Sequence, residues 1–181
     1  DRTQGVGVLP REVAIDYGVT GPNLRGSGVD HDLRKSNPYL VYSELDFEIP
    51  VGTKGDCYDR YLVRMEEMRQ SSKMILDAIE KIPGGKNTNY SSGDEMILTK
   101  APTRAPEGAT GFSNYECTRG ASQFYIKGGG EGRGKNPYRL SIRSPMFITI
   151  PYVAETMIGY KIADIPAIMG SFDPCIGETD R

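Results

Sequence analysis

DCYDRYLVRMEEMRQSSKMILDAIEKI, residues 56–82, sets the architecture of this protein. Tyr58, Tyr61, Leu62, Met65, Met68, Ile75, Leu76, Ile79 and Ile82 recur at three- and four-residue steps, with Ser72 in the gap. That is a helical period with one apolar face, and it predicts a helix about 40 Å long at 1.5 Å per residue. A helix of that length crosses a whole domain, so the stripe is expected to be buried. Arg64, Glu67, Lys73, Asp77 and Glu80 on the opposite face are expected to be solvated. Asp56 is the expected N-cap, its carboxylate accepting from free amides of the first turn. Pro83-Gly84-Gly85 is the stop signal.

Before this helix, Thr3 to Val8 reads as a short edge strand. Leu9 to Gly18 reads as a short helix, with Pro10 suited to its first turn and Gly18 to its end. Thr20 to Asn37 is punctuated by glycine and proline and reads mostly as loop. Within it Asp32-Leu33-Arg34 is expected to make one helical turn. Leu45 to Val51 reads as a short strand. After the long helix, Lys86 to Gly93 is polar and loop-like, and Met96 to Leu98 reads as a short strand or helical turn. A β region follows, with strands expected at Tyr115–Thr118, Ser122–Lys127 and Tyr138–Arg143. In the last of these Tyr138, Leu140 and Ile142 alternate with Arg139, Ser141 and Arg143. Ile150 to Gly159 reads as a second helix. Asp164 reads as the N-cap of a short apolar helix that Gly170 ends. The expected fold class is α+β and helix-rich: a long central helix, shorter helices and a small antiparallel sheet.

The 181 residues are the size of one ordinary domain. With 22 glycines and 12 prolines they point to many turns rather than a simple bundle. The formal charge of −2 gives no electrostatic reason to expect nucleic acid as a partner. No stretch reaches the roughly 18 apolar residues of a membrane span. Cys57, Cys117 and Cys175 are far apart and odd in number, which argues against a disulfide framework. Asp1-Arg2-Thr3-Gln4 reads as the middle of a polypeptide, so residues 1–181 are expected to be part of a longer protein.

Several motifs weigh toward structure rather than chemistry. Gly129 to Asn136 nearly spells a phosphate-binding loop, but Asn136 stands where serine or threonine is needed and Pro137 with a β-alternating run replaces the helix. A glycine-rich hairpin loop is the better reading. His31, the single histidine, lies between Asp30 and Asp32 and is expected to be exposed or hydrogen-bonded. Arg25-Gly26-Ser27-Gly28 reads as a tight packing turn in preference to an anion cradle. Glu66 and Glu67 point about 100° apart on the helix and form no acid/base pair. Cys57 and Cys117 read as small apolar fillers. The tail, Asp173-Pro174-Cys175-Ile176-Gly177-Glu178-Thr179-Asp180-Arg181, combines a rigid turn, one soft sulfur and four charges. On spacing alone it reads as a solvated end.

Residues 16–29, DYGVTGPNLRGSGV, and 55–70, GDCYDRYLVRMEEMRQ, closely resemble the D-type subunit family of complex I, the NADH-quinone oxidoreductase, and its archaeal relative the F420H2 dehydrogenase. Residues 137–145, PYRLSIRSP, match too, as do Gly170-Ser171-Phe172-Asp173 and Gly177-Glu178-Thr179-Asp180-Arg181. Lys86 to Gly120 is the weakest stretch. The matches run in order along the chain and place it in the C-terminal half of the family. The resemblance implies the fold of nickel-iron hydrogenase large subunits.

In those hydrogenases the chain ends Asp-Pro-Cys-x-x-Cys and the thiolates hold the metal. Here Asp173-Pro174-Cys175 is kept, but Glu178 takes the second cysteine's place. Removing a soft ligand disrupts a nickel site, so no nickel is expected. By resemblance the former metal site becomes part of a quinone-headgroup cavity lined by Cys175 and Ile176, with Phe172 suiting its apolar wall and Asp173 nearby. Glu178 and Arg181 are expected to organise the tail, Arg181 facing the cluster-bearing partner. The family's headgroup-contacting histidine and tyrosine lie outside this chain, so no catalytic residue is assigned within it. The implied function is that of a peripheral-arm component of a proton-pumping NADH or F420H2 dehydrogenase. It would bind no flavin or cluster itself and would deliver electrons from a partner's 4Fe-4S cluster to quinone or methanophenazine. The implied partners are the iron–sulfur B-type subunit, the C-type subunit and the H-type membrane subunit, at the cytoplasmic face of the membrane. The large subunit of a membrane-bound energy-converting hydrogenase and a non-catalytic scaffold are the rivals.

Overall fold

A computed structural model describes residues 2–82, 106–129 and 136–180. The expected elements at Lys86–Gly93 and Met96–Leu98, the Pro83-Gly84-Gly85 stop, most of the glycine-rich loop and Arg181 lie outside the described residues.

The described elements run, in chain order, α1 (Arg11–Asp16), α2 (Pro22–Gly26), α3 (Leu33–Ser36), α4 (Cys57–Lys81), β1 (Thr110–Cys117), β2 (Gly120–Lys127), β3 (Arg139–Arg143), α5 (Pro145–Thr156), α6 (Ile165–Phe172) and α7 (Ile176–Thr179). The strands form one antiparallel sheet in the order β1-β2-β3. Cys117 pairs with Gly120 at the tight end of the first hairpin, and Lys127 pairs with Arg139 at the start of the second. The glycine-rich stretch therefore joins two strands and is followed by β3, as a hairpin loop is and a phosphate-binding loop is not.

The start of α4 ties several segments together. Asp56 Oδ1 accepts the Asp59 amide at 2.8 Å, the expected cap, while Oδ2 accepts the Gly5 amide at 2.8 Å. Asp59 in turn accepts the amides of Thr53 and Lys54, each at 2.6 Å. The main core gathers Leu9, Ala14, Val19, Leu24, Cys57, Tyr152, Val153, Ile168 and Phe172, where α1, α2, α5 and α6 meet the first turn of α4. Cys57 thus fills core space as expected. A smaller cluster of Leu45, Phe47 and Met74 covers the middle of α4.

Several expectations change. Thr3–Val8 and Leu45–Val51 are irregular, not strands. Their amides are used singly, by Asp56 and by Gln70, rather than in a ladder. Pro22–Gly26, expected as loop, is a buried helical turn with proline at its start. Helix α5 begins five residues earlier than Ile150, because Ser144 Oγ accepts the Phe147 amide and Pro145 fills the first turn. Gly170 does not end α6. The helix continues to Phe172 and stops at Asp173, whose φ of 55° is left-handed. Asp164 stands at the start of α6 but makes no capping bond. Its carboxylate pairs with Arg2 at 2.9 Å instead.

The largest correction concerns α4. Tyr58, Tyr61, Leu62, Met68, Ile75, Leu76, Ile79 and Ile82, the expected buried stripe, are exposed. The residues buried from this helix are Cys57, Asp59, Arg60, Val63 and Met74. The cause is the neighbours. Helices α2 and α6 both pack on the side of α4 that carries Arg60 and Arg64, and a Cβ at Gly26 would sit 2.9 Å from Arg60 Cγ. Arg64 and Glu67, expected to be solvated, are drawn into that packing. Lys73 and Asp77 behave as expected, in surface pairs with Asp46 and Lys81.

Candidate functional site

The side of α4 that faces the rest of the chain is lined with charge. Arg25, from α2, is 2% exposed in its side chain and reaches three carboxylates: Asp32 at 3.3 Å, Glu67 at 2.7 Å and Glu116 at 2.9 Å. Arg34 forks onto Asp32 through Nε at 2.9 Å and Nη2 at 2.6 Å. Burial alone would raise the Asp32 carboxyl, but the Arg34 hydrogen bond and the charges of Arg25 and Arg34 outweigh it and hold the group below its ordinary value. Glu67 goes the other way: burial pushes it up against the pull of Arg25. The amides of Arg25, Ser27 and Gly28 bond the carbonyls of Gly21, Leu24 and Arg25, the internal pattern of a packing turn. His31 is half-buried, its carbonyl accepting from Arg25 Nη1 at 3.0 Å, and its Nδ1 is buried without a hydrogen-bond partner among the described residues, contrary to expectation.

Two turns of α4 closer to the N-terminus than Glu67, Arg60 is fully buried, with no carboxylate in ion-pair reach among the described residues. Its guanidinium donates to the carbonyls of Gly55 at 2.6 Å and Gly7 at 2.8 Å and to Ser171 Oγ at 2.8 Å, and its carbon lies 4.0 Å from the centre of the Phe172 ring. Carbonyl dipoles and the ring face stand in for a counter-ion. Burial pushes this guanidinium down to about 10. Arg64, the next residue on that face, donates to the Ser171 carbonyl and to Asn23 Oδ1 at 3.1 Å. Burial lowers it as well, with the charges of Asp173 and Glu67 opposing the shift.

These arginines converge on the tail. Phe172 is 0% exposed. The expectation that it suits a cavity wall is corrected, since the ring is enclosed by the core and Arg60. Asp173 follows in its left-handed conformation and lines a hollow of about 560 Å³, whose other walls include Tyr42, Tyr61, Arg64, Met65, Met68 and Cys117. Cys175 is half-buried at the head of α7, and Ile176 is 71% exposed. The Glu178 carbonyl accepts from Ser144 Oγ at 2.6 Å, and its carboxylate lies 3.9 Å from Arg119. Arg119 sits in the turn between β1 and β2 and donates to the Asp173 carbonyl at 3.0 Å and carboxylate at 3.3 Å. A second hollow of about 470 Å³ opens on the other side of Tyr61 and Arg64, toward Thr3, Ala167 and Gly170.

The structure thus brings Asp173, Cys175, Ile176 and Glu178 into one short segment. Sequence reasoning missed Asn23, Arg60, Arg64 and Arg119. The first three lie in stretches read as loop or as helix surface. A signal for Arg119 was available in the adjoining Gly120, since a turn of that kind between two strands presents its side chain at a sheet end. Among the described residues no helix is long and apolar enough to cross a membrane.

A long helix beside a three-stranded sheet is a fold this chain shares with a subunit of a respiratory membrane complex. A chain in the structure of an archaeal example, the membrane-bound sulfane sulfur reductase, superposes with a TM-score of 0.84 at 37% identity, covering 99% of this chain and 47% of that one. The present chain belongs to the family described as respiratory-chain NADH dehydrogenase, 49 kDa subunit, whose signature matches residues 1–181. Among its relatives are the D-type subunit of the NADH-quinone oxidoreductase of Methylacidiphilum infernorum, 46% identical over 200 residues, and its counterpart in Opitutus terrae, 47% identical over 202. Each alignment takes in 100% of this chain and 46% of the relative. The chain therefore spans about half the length of the curated relatives it matches.

Proposed function

We propose that this chain is part of a subunit of an NADH-quinone oxidoreductase-type complex, and that its tail forms one wall of the cavity in which the electron acceptor is reduced. The observation that carries this reading is the placement of the Asp173-Pro174-Cys175-Ile176 turn. Asp173 reaches a hollow whose walls combine Tyr42, Tyr61, Met65 and Met68 with the charged side chains of Arg25, Arg34, Arg64, Glu67 and Glu116, and Ile176 stands out into space. A mostly apolar cavity with a few polar groups is what a quinone ring requires. Nearby guanidiniums stabilise the negative charge that develops when the ring accepts electrons, most strongly where water is excluded. Arg119 and Arg64 supply that charge beside Asp173. Cys175 and Ile176 line the cavity, and Glu178 and Arg181 organise the tail, Arg181 toward the partner. Electrons come from an iron–sulfur cluster on the partner, the family's B-type subunit, and the C-type and H-type subunits complete the assembly at the cytoplasmic face of the membrane. The chain itself binds no cluster, flavin or nickel. The donor, NADH or F420H2, is set by other subunits.

The test is Ile176→Asp in the complete complex. A carboxylate in an apolar wall is costly to desolvate, so KM for a soluble quinone analogue is expected to rise about tenfold or more, equivalent to about 1.4 kcal/mol of binding. Electron flow from the donor to a hydrophilic artificial acceptor should change less than twofold. Equal loss of both rates would contradict the assignment.

The likeness to the sulfane sulfur reductase chain favours one second reading, in which the cavity serves a sulfur acceptor beside the half-buried Cys175 thiol. Parallel assays of the purified complex with the quinone analogue and with polysulfide separate the two.

A further inference from the structure

The end of α6 shows how the tail is held. In a left-handed helix stop the residue in the αL conformation closes one bond back to the helix, and the next amide closes a second. Asp173 makes the first, its N–H donating to the Gly170 carbonyl at 3.2 Å. The second is impossible, because residue 174 is proline and has no N–H. That missing bond would have reached the Met169 carbonyl; the three carbonyls after Gly170, which such a stop leaves open, are each taken by a side chain from a different element. Arg64 of α4 donates to the Ser171 carbonyl, Asn23 of α2 to that of Phe172 at 3.2 Å, and Arg119 of the β1–β2 turn to that of Asp173 at 3.0 Å. The three are coupled. Arg64 Nη2 also donates to Asn23 Oδ1 at 3.1 Å, which fixes the amide so that its NH2 faces Phe172.

The elements that present these side chains are themselves locked together. A Cβ at Gly21, just before α2, would lie 2.5 Å from the Arg119 carbonyl oxygen, and one at Gly120 would lie 2.5 Å from Thr20 Oγ1. Both glycines have positive φ, 73° and 132°. Thr20 Oγ1 also accepts the Ala121 amide at 3.0 Å. The sheet turn and the start of α2 therefore touch backbone to backbone, and Asn23 and Arg119 stand at a set separation.

We propose that Asn23, Arg64 and Arg119 are positioning residues for the acceptor cavity: a three-point side-chain clamp on the carbonyls of residues 171–173 that fixes where Cys175 and Ile176 stand. The role in acceptor reduction rests on the function proposed above; the clamp itself does not. Proline at 174 prevents the backbone from closing its own turn, so the tail takes its place from the rest of the domain.

The experiment uses the assembled complex and Arg119→Met, which keeps the length of the side chain and removes its donors, with Arg119→Lys as the conservative partner. Because Arg64 and Asn23 are more deeply packed, Asn23→Asp serves as the second variant. It keeps the acceptor for Arg64 and loses the donor to Phe172. Amide hydrogen exchange at residues 176–180 is expected to speed up about tenfold in Arg119→Met and in Asn23→Asp, a factor that corresponds to about 1.4 kcal/mol. Lysine at 119 should restore part of the protection. Exchange in α5 should not change. For the quinone analogue, KM should rise several-fold in Asn23→Asp with kcat within about twofold, whereas Arg119→Met, which also removes charge beside the acceptor, should raise KM and lower kcat together. Unchanged exchange at 176–180, or acceleration spread evenly over α4, α5 and α6, overturns the clamp. Accelerated exchange with an unaltered KM overturns its role in the cavity. If the wild-type complex reduces no quinone at all while the exchange result holds, the function proposed above fails and the clamp stands.

Discussion

Arg25→Met is expected to cost the folded protein about 3–5 kcal/mol, because it strands two buried carboxylates, Glu67 and Glu116, and removes one of the two partners of a third. Asp32 keeps Arg34, but Glu67 and Glu116 lose their ion-pair partner. Denaturant unfolding of the full-length subunit measures the loss. Its pH dependence identifies the cause. In the wild type the Asp32 carboxyl is held below its ordinary value, so its share of stability is complete above the unfolded carboxyl range and is lost as pH falls through the lower, folded value. Glu67 is raised, so its contribution has the opposite sign: it favours the fold at acidic pH and is lost as pH rises through the raised value. In Arg25→Met the stranded carboxylates are relieved by protonation, so the deficit relative to wild type should narrow as pH falls toward about 4. A deficit independent of pH would mean that lost packing, not charge, is responsible.

Gly55→Ala is the second large effect, about 2–5 kcal/mol from two sources. Gly55 has φ 67°, which costs an L-residue about 1–2 kcal/mol. Its added Cβ would also lie 2.2 Å from the Leu9 carbonyl oxygen, and overpacking against backbone adds a further 1–3 kcal/mol or so. That oxygen is already the acceptor for Ser27 Oγ at 2.8 Å, and the Gly55 carbonyl accepts the Leu9 amide at 2.8 Å. Gly159 is the control. Its φ is 89°, but a Cβ there meets nothing within 4 Å, so Gly159→Ala should cost only the conformational part. Equal melting temperatures for the two variants would contradict the close approach at Gly55.

Both residues belong to stretches where reading the sequence was hardest. The presence of three strands was legible, most clearly in the alternation of the last, although β1 starts at Thr110, five residues before the expected Tyr115, and α4 was legible because its cap, period and stop agree. The mistake lay in which face of α4 the chain buries. Apolar periodicity reports that a face is destined for burial somewhere; it does not say that these 181 residues supply the cover. The eight exposed stripe residues are more apolar surface than the chain's own neighbours take up, while Arg60 and Arg64, which look like surface residues, are enclosed because Gly7 and Gly55 offer carbonyls, α2 offers Asn23 and α6 offers the Ser171 carbonyl and the Phe172 ring. The tail was legible only through resemblance. Spacing alone cannot show that Arg119, 54 residues away, reaches Asp173. Phe172 is a similar case: only the structure shows that Arg60 covers its ring.

Photo-crosslinking of a quinone analogue in the complete complex, followed by peptide mapping of this chain, tests the central claim most directly. The label is expected on the peptide that carries Asp173, Cys175 and Ile176, and excess unlabelled quinone should displace it. Specific labelling of the complex that leaves this peptide untouched would contradict the placement of the acceptor at the tail.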